Sequence, residues 1–112
     1  MAVNQTRNVI FIDAPTAGSV ILNAGVQARI GVVQVLHSAT AVGELILYAA
    51  QSAIAARTIF HGYSPLSGVV PTTAGMDFFP IFPDPAQGML FTDNGLFAVL
   101  NGASCQAIVT LA

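Results

Sequence analysis

Met89-Leu90-Phe91-Thr92-Asp93-Asn94-Gly95-Leu96-Phe97-Ala98-Val99-Leu100-Asn101-Gly102 is the stretch whose reading decides the fold. Two short apolar runs flank Asp93-Asn94-Gly95, and each is too short to make a helix that would hold. Asn-Gly accepts positive φ and reverses the chain tightly, so residues 89–92 and 96–101 are predicted as the two arms of a hairpin. A second Asn-Gly, at Asn101 and Gly102, leads into a run from Cys105 to Leu111. There Cys105, Ala107, Val109 and Leu111 share one side while Gln106 and Thr110 take the other. That is the period of a strand with one face buried.

The same punctuation extends upstream. Residues 7–13 read as a strand ended by Ala14-Pro15, and residues 19–22 as a short one closed by Asn23-Ala24-Gly25. Residues 28–37 are apolar on both sides, with Ile30, Val32 and Leu36 opposite Val33 and Val35, which suits a strand covered on both faces. Residues 43–50 follow as another. The alanine-rich residues 49–57 favour a helix by composition but lack caps and a clear apolar stripe, so they are read as a strand end, a loop and the next strand. Residues 57–61 form that strand, stopped by Gly62-Tyr63-Ser64-Pro65. Five of the six prolines fall between there and Gly88, marking a mostly extended segment. Within it Phe78-Phe79-Pro80-Ile81-Phe82-Pro83 is too apolar to be free. It is read as a short strand that either joins the core or docks on a neighbour, with Phe78, Phe79 and Phe82 as candidate interface residues. About eight short strands with turns near every ten residues predict an all-β chain. The expected form is a single antiparallel β-sandwich or jelly-roll-like domain over residues 1–112, with a closed barrel as the alternative.

Charge excludes several activities. Eight of 112 residues are charged, where an average soluble chain would carry about 28. Lysine is absent, so no Walker-type phosphate loop exists. Arg7, Arg29 and Arg57 against five carboxylates make no basic stripe, and no nucleic-acid partner is expected. No apolar run reaches the length of a spanning helix, the longest being broken by Glu44, so no membrane partner is expected either. The first residues show neither a basic nor an apolar signal region, and with the single Cys105 they predict a product of a reducing cytoplasm. A net charge of −2 does little to keep copies apart, so the weakly charged exterior predicts a homo-oligomer or a larger assembly.

Chemistry-bearing residues are few. His37 and His61 end predicted strands and lack a third ligand at a metal-like spacing. Ser64 near His61 sits in a turn that lacks the second glycine of a nucleophile elbow. Asp77, Asp84 and Asp93 are scattered among loops and match no calcium-loop pattern, and Glu44 pairs with no aspartate. Cys105 alternates with core residues and has no nearby cation, which reads as structural. No catalytic residue, cofactor or metal is expected.

Two segments carry a resemblance. Gly88-Met89-Leu90-Phe91-Thr92, then Asn94 to Ala103 with its Asn-Gly turns and a closing strand, resembles the ending of small tailed-bacteriophage virion proteins. Ile30-Gly31-Val32-Val33 and Ala41-Val42-Gly43-Glu44-Leu45-Ile46-Leu47-Tyr48 are similar to their paired upstream strands, although Ala49-Ala50 stand where a polar turn is usual. The likeness spans Ala28 to Ala112. It implies a non-enzymatic virion structural protein made in the host cytoplasm. The expected role is a capsid decoration or cement protein that stabilises the shell by burying apolar surface against itself and the major capsid or other virion proteins. The alternatives are a neck or tail accessory protein, or a glycan-binding jelly-roll module with Tyr48 or Tyr63 stacking on the sugar.

Overall fold

The computed structural model describes residues 3–6, 8–80 and 90–112. Ten strands run through them: β1 (Val3–Thr6), β2 (Val9–Ile12), β3 (Thr16–Leu22), β4 (Ala28–His37), β5 (Gly43–Tyr48), β6 (Thr58–Ser64), β7 (Gly75–Pro80), β8 (Phe91–Thr92), β9 (Leu96–Asn101) and β10 (Gln106–Leu111). They build two antiparallel sheets. One has the order β1-β2-β10-β4-β7, with the two-residue β8 paired to the start of β4; the other has the order β3-β9-β5-β6.

The connections define the architecture. The chain changes sheets from β2 to β3, β3 to β4, β4 to β5, β6 to β7, β8 to β9 and β9 to β10, while β5 and β6 form a hairpin within one sheet. Chain-distant strands therefore lie side by side, β2 with β10 and β3 with β9. Eight strands nested this way in two sheets are a jelly roll, to which β1 and β8 are additions.

Alternation explains how the sheets pack. Ile10 and Ile12 of β2, Val33 and Val35 of β4, and Ala107 and Val109 of β10 point inward and are fully buried. They meet Leu45 and Leu47 of β5 and Leu96, Ala98 and Leu100 of β9 from the opposite sheet. Ile30 breaks the alternation of β4: it is buried although Val32, two residues on, faces outward. A register shift between Thr110 and Leu111 of β10 turns the start of β4 and accounts for this.

Several sequence expectations change here. The Asp93-Asn94-Gly95 turn exists, but it does not close a hairpin: β8 pairs with β4, and β9 pairs with β3 and β5. Turn chemistry dictates that the chain reverses, not which strand it will lie beside. Gly95 has φ +70, and a Cβ there would stand 2.3 Å from the carbonyl oxygens of both Leu22 and Asn23. Gln51 binds the same corner, its amide donating to the carbonyls of Leu22 (3.1 Å), Ala50 (3.1 Å) and Asn94 (2.9 Å). Gly62 and Ser64, expected in a turn, lie inside β6 and are buried. The ring of Phe60 stands over Gly62, where a Cβ would come within 2.7 Å of it, so this glycine makes room for packing. Residues 49–57 hold a loop and one 3-10 turn, Ala55–Arg57, pinned where the Ala49 and Arg57 backbones bond. β1 was not anticipated; it adds an edge to β2, with Val3 opposite Ile12.

Candidate functional site

The broad outer faces of the two sheets differ in chemistry. On the first, the registers set Val9 and Phe11 of β2 beside Thr110 and Ile108 of β10. These adjoin Val32, Gln34 and Leu36 of β4, and then Phe78 and Met76 of β7. One row runs Phe11, Ile108, Gln34, Phe78 across four strands. Where β2, β10, β4 and β7 lie side by side, from Val32 to Leu36 of β4, the outward side chains are uncharged, and Phe78, Met76 and Val9 are exposed at 54%, 49% and 41%. Arg29, exposed at the start of β4 beside β8, lies beyond that stretch. The polar groups of the face are amides and a hydroxyl, with the Gln34 amide 3.2 Å from the Met76 sulfur and the Gln106 amide donating to the Asp13 carbonyl at 3.2 Å.

The second face is apolar at one end and polar at the other. Val20 and Phe97 begin it, with Tyr48 and Phe97 ring centroids 6.2 Å apart, and Val99 and Ile46 continue it. At the far end Glu44 of β5 faces Asn101 of β9 on one side and Tyr63 of β6 on the other. The His61 Nε2–H donates to Glu44 Oε2 at 2.7 Å, and the Asn101 amide donates to Oε1 at 2.8 Å. The His61 bond foremost, then the Asn101 bond, holds the Glu44 carboxyl below its ordinary range. Tyr63, opposite Glu44 in the β5–β6 register, faces this carboxylate, which raises the phenol above its ordinary range. His61 and Tyr63 rings lie 5.1 Å apart. Two donors, one from each flanking strand, thus converge on one carboxylate and cross-link β9, β5 and β6. Sequence reading saw Glu44 as an interruption of an apolar run and as a carboxylate without an acidic pair; the signal that locates its partners is strand register, which no local pattern carries.

The candidate interface residues separate by strand parity. Phe78 is exposed on the outer face of its sheet. Phe79 points the other way, packs on the core and meets Phe60 edge-on at 5.3 Å, so this member of the candidate set belongs to the interior. Phe82 lies outside the described residues, as do Asp84 and Met89.

The remaining candidates stand apart. His37 ends β4 with Nδ1 2.9 Å from the Ser38 carbonyl, while His61 belongs to the opposite sheet. Ser64 is fully buried, and its hydroxyl has no hydrogen-bond partner among the described residues. Cys105 is buried under Gly43 and Gly102. No group of three or more His, Cys, Asp or Glu that could hold a metal occurs among the described residues. A cavity of about 540 Å³ opens at the loop end near Leu36, His37, Met76 and Ser104. A smaller one of about 240 Å³ lies at the other end beside Ala49, Ile59 and Phe91, where Arg57 pairs with Asp93. No helix among the described residues is long and apolar enough to cross a membrane. No protein-family model matches the chain, and no curated protein matches it either.

Proposed function

We propose that this chain is a non-enzymatic structural protein of a virion, a capsid decoration or cement protein that works by burying apolar surface against its neighbours. The observation that carries this reading is the broad uncharged stretch, from Val32 to Leu36 of β4, on the outer face of β2, β10, β4 and β7 of a jelly roll, an architecture used in viral capsids. A monomer seldom keeps a broad face free of charge, whereas an assembly subunit hides it. Many such contacts on one shell act together through effective concentration, so weak individual contacts suffice and no reacting group is required.

The test is co-sedimentation of the purified chain with tailed-phage heads that lack decoration, followed by heating of the loaded and bare heads. Saturable binding with a higher disruption temperature is the expected result. Absence of binding together with retention on a glycan array would reject the virion reading in favour of a sugar-binding module.

A further inference from the structure

We infer that the outer face of β2, β10, β4 and β7 docks on the same face of a second copy of this chain, making a symmetric pair. The inference rests on the structural reading above and names the first partner of that surface.

Charge selects the partner. A protein surface carrying ordinary numbers of lysines and carboxylates would have to strip water from them against a face whose central rows offer no counter-ion, Arg29 standing at its β8 end, and unpaired buried charge is costly. The partner must itself be poor in charge, and with 7% charged residues this chain is such a partner. The face is also self-complementary. Its apolar side chains, Phe11, Ile108, Val32, Leu36, Met76 and Phe78, surround the Gln34 amide, which can donate and accept across a two-fold axis.

Area agrees. A standard interface withdraws about 800 Å² from each partner, roughly one seventh of the 5775 Å² this molecule exposes. The body measures 39 × 30 × 28 Å, so one broad side supplies about that share. The opposite sheet is the poorer choice. Docking there would bury Glu44 and His61, whose side chains are 25% and 44% exposed.

Sedimentation velocity over a concentration series, with three variants, tests this. Ile108→Glu places a carboxylate at the centre of the face and is expected to weaken pairing at least about a hundredfold. Ile46→Glu, outward on the opposite sheet, is expected to change it by less than about threefold. Because Ile108 is half-buried, Phe78→Ser serves as the variant least able to disturb folding, with a loss of about tenfold. Circular dichroism confirms that each variant keeps its β structure. A wild-type chain that stays monomeric, or pairing broken by Ile46→Glu and spared by Ile108→Glu, would overturn the inference. A monomer that still decorates heads rejects the pair and leaves the structural role. A pair that behaves as expected but ignores heads rejects the structural role and leaves the pair.

Discussion

The two outer faces are built by the same alternation, yet one is polar where the other is bare. On β5, β6 and β9 a single carboxylate takes a donor from each neighbouring strand and ties its own sheet together. On β2, β10, β4 and β7, between Val32 and Leu36 of β4, the outward positions hold Phe, Ile, Val, Leu and Met around two amides and a threonine, and the exposed Arg29 stands apart at the start of β4. The first face satisfies its polar groups internally and can stand in solvent. The second has little to lose by dehydration, so it is the side on which contact with protein costs least. A chain with eight charges cannot cover every side with them, and where it withholds them indicates what that side meets.

The sharpest way to break this contrast is on one strand. Phe79 and Phe78 are adjacent, but Phe79 serves the core and Phe78 the outer face. Phe79→Ala is expected to cost about 2–3 kcal/mol of folding stability in urea titration, leaving the pairing of the folded fraction unchanged. Phe78→Ala is expected to shift stability by less than about 0.5 kcal/mol and to weaken pairing. Equal stability losses would show that the outer face is held as tightly as the core.

The polar face predicts a pH signature. The Glu44 carboxyl is held below its ordinary range in the fold, so its contribution is present above its unfolded pKa and disappears as pH falls through the folded value. Glu44→Gln should lower stability by about 1 kcal/mol near neutrality, and the gap from wild type should close in acid, below about pH 4. A gap that stays constant from neutral to strongly acidic urea titrations would mean the carboxylate charge contributes nothing.

Smallest of all is the effect beneath that face. Ser64 is buried with a hydroxyl that finds no partner among the described residues. Ser64→Ala should be neutral or stabilising by up to about 1 kcal/mol, read as a rise in melting temperature. A loss larger than that would reveal an essential bond made by this hydroxyl.

Much of the β character was legible because it is local. β9 and the buried alternation of β10 follow from apolar spacing, and the length of β4 from its double-sided apolar run. Pairing was not legible. Asn94-Gly95 signals a reversal wherever it occurs, so the chain's passage from β8 to a strand of the other sheet could not be told from a hairpin. Gly62 carried the chemistry of a turn but serves as space for the Phe60 ring, a contact made by packing. Of the candidate interface, the aromatic cluster was visible while the parity that sends Phe78 out and Phe79 in awaited the frame of β7. Phe11 and Ile108, far apart in sequence, became neighbours only through the β2–β10 register.

The most direct test of assembly through an apolar face is the dissociation constant of the unmodified chain, measured by sedimentation equilibrium as salt is raised. Contact through an uncharged surface predicts a pair whose affinity stays level or tightens between about 0.05 and 1 M sodium chloride, since screening has no ion pairs to weaken. A monomer throughout, or an oligomer that dissolves as salt rises, would contradict the account.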